Sequence, residues 1–457
     1  MHRREFIRQA SALTAAAMTG SCQSMTRSQE STRRLATFCC DVTPPLGTPI
    51  YSSFKPLAVI EFPLLAKGVI LDDGGTRYVL CAVDWCEICN STHTEFREKI
   101  AEAAGTDPSR VAVQTVHQHT APMGDGDAMR LIEQIPDPPP HPSPSVFDEA
   151  VARVAAAVRE SVSKFTPFDQ IGLGQAKVER VASNRRVPAG DGKVGFRASS
   201  CKDPKLIELP EGLIDPMLKT ITFSLGTKPL VRMHYYATHP QSFYGDPRAS
   251  YDFPGMAREK LEQQEGVLHI YFNGCGGNIA AGKYNDASPE ARDGLFQRLF
   301  AGMEASVAVT KFQPAGTFTW RSVPVLFTLR DDGSFTEAEA RARMANASLA
   351  ASTRLDGAML LAFRARSQTP IELSSLQIGD MFILHLPGEA AIEFQLDAQK
   401  LKPEAFVAIA AYGDCATGYI CLERFFDEGG YEPTASHIIP KSEQTFRDAI
   451  GRLLGVA

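Results

Sequence analysis

Beyond residue 35, strand-length apolar runs alternate with helix-length stretches whose apolar positions recur every three to four residues, the pattern of an α/β domain. Strands are predicted over residues 77–84, 111–116, 230–236, 267–272, 381–386 and 405–411. Helices are predicted over residues 92–104, 147–165 and 254–265, and from Ser288-Pro289, which has N-cap and first-turn chemistry, to about Val307. A last helix starts near Ser442. No internal repeat of useful length and no shift in composition divides residues 36–457, which read as one domain. Its one biased stretch, residues 135–145, carries Pro136, Pro138, Pro139, Pro140, Pro142 and Pro144, and is expected to run extended over the surface.

The first 35 residues follow a different pattern. Arg3-Arg4-Glu5-Phe6-Ile7 precedes a small-residue apolar run from Ala10 to Gly20 and then a polar stretch to Arg34, which reads as a twin-arginine export signal with its linker. The run is too short for a permanent membrane span, and export places the mature chain in the periplasm or beyond. Thr19-Gly20-Ser21-Cys22 resembles a lipoprotein cleavage site and makes Cys22 a candidate lipid anchor, although Thr19 stands where a larger aliphatic residue is usual.

Composition narrows the function classes. The 457 residues are 44% hydrophobic and 22% charged with a net charge of -6, so no basic field exists to hold a polyphosphate and nucleic acid is not an expected partner. Ten cysteines are too few for a disulfide scaffold. Cys86 and Cys89 have the spacing of a redox or metal pair, but no second pair matches them, and they read as a strand-end pair without a catalytic role.

The polar residues able to bind a metal fall just past the ends of predicted strands. His117 and His119 follow the strand at 111–116, His239 follows 230–236, Asn273 and Asn278 follow 267–272, Glu389 follows 381–386, and Tyr419 follows the strand ending near 411. Ligand sites of α/β folds lie outside strand carboxyl ends, so one shared site is expected. If residues 117–119 stay extended, both imidazoles point to one side. Two imidazoles, a carboxylate and a further oxygen suit Zn2+ and leave room for a water that becomes a nucleophile near neutral pH. Asn273-Gly274-Cys275-Gly276-Gly277-Asn278 is a glycine-rich turn that can bring backbone N–H groups to an oxyanion or serve only as a tight turn; it is neither a dinucleotide fingerprint nor a phosphate loop. Cys275 has no histidine fixed beside it and ranks as a nucleophile behind metal-activated water and a hydroxyl.

These segments resemble the neutral, non-lysosomal ceramidases. Thr115-Val116-His117-Gln118-His119-Thr120-Ala121-Pro122 is similar to that family's Thr-His-Thr-His-Ser-Gly-Pro segment, and Tyr236-Ala237-Thr238-His239-Pro240 to the stretch around its second zinc histidine. Pro387-Gly388-Glu389 resembles its zinc glutamate, Thr417-Gly418-Tyr419-Ile420 its zinc tyrosine, and Ser183-Asn184-Arg185 the segment that carries its active-site arginine. The order along the chain is the same, and the resemblance runs from about Phe38 to the C-terminus. It implies an α/β domain of mixed sheets flanked by helices, without the family's C-terminal immunoglobulin-like domain. It also implies a zinc site of His117, His239, Glu389 and Tyr419. His119, Arg185 and Asn278 are then expected to stabilise developing charge, and Asn184, Gly276 and Gly277 to meet substrate.

One departure bears on mechanism. Gly277-Asn278-Ile279-Ala280-Ala281 has alanine where the family carries its nucleophilic serine. The expected function is therefore a zinc-dependent hydrolase in which metal-bound water attacks an amide, acyl or related centre of a small molecule other than ceramide, glycan- or lipid-derived. Two alternatives stay open: hydrolysis of a carbohydrate-derived substrate, and a catalytically inactive zinc protein that binds sugar or lipid.

Overall fold

The computed structural model describes residues 33–456 apart from residue 52. The export signal and Cys22 lie outside the described residues. Three sheets carry the fold, and their strands are numbered here as β1 to β14. The first holds β1 (Arg34–Asp41), β2 (Leu65–Asp72), β3 (Arg77–Val83), β4 (Val111–Thr115) and the short β5 (Thr166–Pro167), in the order β4-β3-β2-β1-β5. The second holds β6 (Gln170–Lys177), β7 (Met217–Leu225), β8 (Lys228–Tyr236), β9 (Leu268–Asn273) and β10 (Lys311–Pro314), in the order β9-β8-β7-β6-β10. The third is β11 (Phe318–Val325), β12 (Ile371–Ile378), β13 (Met381–His385) and β14 (Phe406–Ala410), in sequence order.

The three sheets repeat one plan. Each starts with an antiparallel three-strand meander: β1-β2-β3, β6-β7-β8 and β11-β12-β13. A helix then crosses over to a fourth strand parallel to the third, so all three sheets are mixed. The crossover helices are Asn90–Ala104, Asp252–Glu265 and Ile392–Leu401, and a second helix (Pro144–Ser161, Pro289–Ala308, Ser442–Leu454) packs beside each. The sequence shows no repeat because the shared feature is strand order and polarity, which many side chains satisfy equally well.

The repeat brings the carboxyl ends of the three parallel pairs to one place. Thr115 N donates to Tyr412 O at 2.8 Å, Ala411 N to Asn273 O at 2.8 Å, and Asn273 Nδ2 to Val116 O at 3.4 Å, which links the ends of β4, β14 and β9 in a ring. Buried charge pairs hold the first two units together: Arg258 grips Asp84 through two bonds of 2.9 Å, and Lys67 reaches Glu262 at 2.8 Å.

Alternation along the strands divides the core. Val79, Cys81 and Val83 of β3 face the helices of their own unit, whereas Leu80 and Ala82 join a second cluster with Met233 and Ile270 of the second sheet and Ile383 and Ala408 of the third. Truncating a residue such as Leu80 costs about 2–5 kcal/mol through the cavity it leaves. Pro144 belongs to the helix rather than to the proline-rich loop, because it occupies the first helical turn, where its missing N–H is not needed. Ser288 Oγ accepts from Ala291 N at 3.1 Å and caps the helix that follows. Among the described residues no helix is long and apolar enough to cross a membrane.

Candidate metal centre and active site

His117 follows β4 with φ of 70°, in the left-handed region that costs a non-glycine residue about 1–3 kcal/mol. The segment is therefore not extended as the sequence suggested. The turn at His117 swings its imidazole onto Cys86 O, to which Nδ1 donates at 2.8 Å. His239 lies past β8, and its Nδ1 donates to Gly276 O at 2.9 Å and Ile279 O at 3.0 Å. With both Nδ1 protons assigned, each Nε2 presents a lone pair. These two nitrogens are 3.2 Å apart. Glu389 Oε2 lies 3.1 Å from one and 3.2 Å from the other, and no hydrogen-bond donor reaches it.

Three acceptors facing one another in a buried pocket repel unless a cation sits among them. The set of two imidazole nitrogens and one carboxylate oxygen fits Zn2+. Tyr419 lies next to this set: in the short parallel pair Glu389–Ala390 with Tyr419–Ile420 it is the register partner of Glu389. Burial, with the Arg185 charge behind it, pushes His239 down to about 4, so its imidazole is neutral and ready to ligate near pH 7.

His119 stands beside the set, with Nε2 3.3 Å from His117 Nε2. Gln241 Nε2 donates to His119 Nδ1 at 3.1 Å, which leaves the proton of the neutral ring on Nε2, pointing at the cluster. Burial and the neighbouring His117 push its pKa well down. Arg185 is buried and donates to Tyr419 Oη at 2.6 Å, to Glu432 Oε1 at 3.2 Å and to Gly277 O, with Nη1 3.5 Å from His239 Nε2. It fixes the phenol and adds positive charge at the edge of the set.

Other residues singled out from sequence are held by scaffold contacts. Asn278 Nδ2 donates to Glu393 at 3.0 Å and its Oδ1 accepts from Ile392 N at 2.8 Å, so the amide tethers the crossover helix rather than facing the cluster. Asn184 accepts from Arg186 N and donates to Leu213 O. Gly277 N donates to Ala390 O at 2.9 Å, and a Cβ at Gly276 would meet Thr238 O at 2.7 Å; both glycines are required for close packing. Burial pushes the Cys275 thiol up, and its turn is anchored by Gln395. Ala280 is buried against Ser183, whose hydroxyl donates to Ala280 O at 2.9 Å.

A cavity of about 330 Å3 opens beside Glu389 and Tyr419, lined also by Tyr51, Phe54, Met123 and Tyr431. Tyr51 packs its ring 5.1 Å from that of His119, and Tyr412 stacks on His117 at 4.3 Å. Sequence reasoning missed these tyrosines. Tyr412 was within reach, since it follows β14 in the left-handed region just as His117 follows β4.

The fold is that of the neutral ceramidases. Neutral ceramidase from Pseudomonas aeruginosa superposes with a TM-score of 0.69 and 14% sequence identity, over 93% of this chain and 75% of that one. A ceramidase complexed with C2 gives a TM-score of 0.66 and 14% identity, over 93% of this chain and 76% of the other. No protein-family model matches the chain, and no curated protein matches it in sequence.

Proposed function

We propose that the protein is a zinc-dependent hydrolase that cleaves an amide, acyl or related bond in a substrate other than ceramide. The observation that carries this reading is the convergence of His117 Nε2, His239 Nε2 and Glu389 Oε2 at 3.1–3.2 Å. When bound, zinc supplies a Lewis acid and lowers the pKa of a coordinated water to about 7. The chain's own groups do the rest. Arg185 holds the Tyr419 oxygen in place, and its fixed charge disfavours protonation of His239. His119 presents an N–H to the cluster, a donor suited to charge that develops during acyl transfer.

The non-ceramide part of the reading rests on Ala280, which offers no hydroxyl, and on Ser183, whose hydroxyl is already engaged. Purified protein is expected to turn over members of a soluble N-acyl and glycoside panel, to lose activity with a chelator and to regain it with zinc. Ceramide turnover by the wild type at about one per second or faster overturns the non-ceramide assignment. Ala280→Ser is expected to leave ceramide uncleaved, because a pocket shaped for another molecule misplaces the amide.

Export of the folded chain by the twin-arginine route belongs to the same reading and rests on Arg3-Arg4 ahead of a modest apolar run. Replacing both with lysine is expected to hold the precursor in the cytoplasm. Normal appearance of that variant outside the inner membrane overturns the route, and labelling dependent on Cys22 decides whether a lipid is attached.

A further inference from the structure

Tyr412 combines two unfavourable features. Its φ of 62° lies in the left-handed region, where glycine or asparagine sits at lower cost, and its hydroxyl is buried without a hydrogen-bond partner among the described residues. A phenylalanine would fill the same space without the second. The residue nonetheless stands at a junction that reaches every ligand of the proposed metal.

Tyr412 follows β14 as His117 follows β4. Its carbonyl accepts from Thr115 N at 2.8 Å and from Thr115 Oγ1 at 3.3 Å, which fixes the strand end that leads to His117. Its N–H donates at 3.2 Å to the carbonyl of Gly388, the residue before Glu389. Its hydroxyl end abuts Gly276, where an added Cβ would lie 2.8 Å from Oη, and Gly276 O is an acceptor for His239 Nδ1. The ring itself stacks on His117, with centroids 4.3 Å apart and planes inclined by 26°, and stands nearly perpendicular to His239 at 6.4 Å. One residue thus touches His117 directly and the supports of His239 and Glu389.

We propose that Tyr412 is a positioning residue for the metal-binding set, whose ring face sets the plane of the His117 imidazole and favours its metal-bound state. This rests on the metal-dependent hydrolase reading above. The bond from Nδ1 to Cys86 O holds one edge of the imidazole and leaves the ring free to tilt about it. The phenol face removes that freedom, so Nε2 stays aimed at His239 Nε2 and Glu389 Oε2. Charge acts in the same direction: an imidazole that gives its lone pair to a cation becomes more positive, and the negative face of an aromatic ring stabilises it. Both effects need the ring, and neither needs the hydroxyl.

The test measures zinc affinity by competition with a chelator and the visible spectrum of the cobalt-substituted protein, both on folded full-length chain. Tyr412→Phe, which keeps the ring, is expected to match wild type in both. Tyr412→Leu is expected to bind zinc about 10–100-fold more weakly, the scale of losing an outer partner of a ligand, and to alter the cobalt spectrum, which reports ligand geometry. Should Tyr412→Leu not fold, Tyr412→Met, whose flexible chain fills the space without a ring, carries the same expectation. Wild-type affinity and spectrum in the ringless variant overturn the role of Tyr412 and leave the hydrolase reading standing. An affinity loss without a spectral change is lost packing and overturns the role as well. So does a loss in Tyr412→Phe equal to that of the ringless variant, since the hydroxyl then carries the effect. If wild type itself binds no zinc, the metal-dependent reading falls and the role of Tyr412 falls with it.

Discussion

Buried histidines occur in two settings in this protein, and the contrast shows what identifies a site. At the periphery, His93 Nε2 donates to Val113 O at 3.0 Å, and His385 Nδ1 bonds Ser374 Oγ at 3.0 Å while its ring stacks on Trp320. His234 and His269 sit in a chain from Thr220 to Glu265 in which neighbours are 2.9, 2.9 and 3.2 Å apart. At the centre, by contrast, His117 Nε2 lies 3.2 Å from His239 Nε2 and 3.3 Å from His119 Nε2. Burial and a depressed pKa are common to both settings: burial lowers His93 and His239 alike to about 4 and His385 to about 3. Neither property marks the centre. The convergence of the His117, His239 and Glu389 acceptors on one point does, an arrangement compatible with a bound cation.

Metal content gives the largest expected difference between the two settings. Wild type is expected to carry about one zinc per chain. His239→Ala and Glu389→Gln should each lose most of it, whereas His385→Gln should keep it. Elemental analysis of folded protein decides this: stoichiometric zinc in the two central variants, or its loss in the peripheral one, removes the distinction.

Acid stability sharpens the comparison from the other side. His385 is held neutral in the fold down to about pH 3, while the unfolded chain protonates near 6.5. Between those values the unfolded state binds more protons, so this group's stabilising contribution is complete above pH 6.5 and is lost as pH falls towards 3. His93, at about 4, acts in the same direction over a narrower window. His385→Gln is expected to be less stable than wild type by about 1–3 kcal/mol at pH 7 through lost packing and hydrogen bonding. That gap should narrow by a comparable amount at pH 5 in denaturant titrations. A gap that is constant or widens on acidification shows that His385 is not held neutral.

The part of this organisation that could be read from sequence has a physical pattern. The third and fourth strands of every unit were recognisable. Runs such as Met381–His385 and Phe406–Ala410 are buried over nearly their whole length, so their apolar character is continuous. The first two strands of each unit were not. Gln170–Lys177 carries glycines at 172 and 174 whose missing Cβ atoms admit the neighbouring helix and Phe312, and Met217–Leu225 buries Lys219, Thr220, Thr222 and Ser224. Those strands satisfy polar groups inside the protein, which hides their alternation. The same limit applied at the site. Strand-end position gathered His117, His239, Glu389 and Tyr419, but the partners of Asn278 lie more than a hundred residues away, and nothing local shows that its amide is already engaged.

The smallest expected effect separates His119 from the two imidazoles it touches. Because Gln241 donates to Nδ1, the proton of His119 sits on Nε2, and a protonated nitrogen cannot ligate. His119→Ala is therefore expected to retain zinc with an affinity changed less than about ten-fold, the scale of an outer partner rather than a ligand. Gln241→Glu reverses the hydrogen bond: a carboxylate accepts from Nδ1, which moves the lone pair to Nε2 and turns a third imidazole acceptor toward the cluster. Zinc affinity, measured by competition with a chelator, is then expected to rise by up to about ten-fold. A carboxylate 3.1 Å from the ring would also attract a cation through charge alone. The double variant His119→Ala with Gln241→Glu distinguishes the two causes. If the gain disappears without the imidazole, the tautomer carried it, and the division between ligating and donating histidines holds. If the gain persists, charge carried it, and the tautomer of His119 does not set zinc affinity.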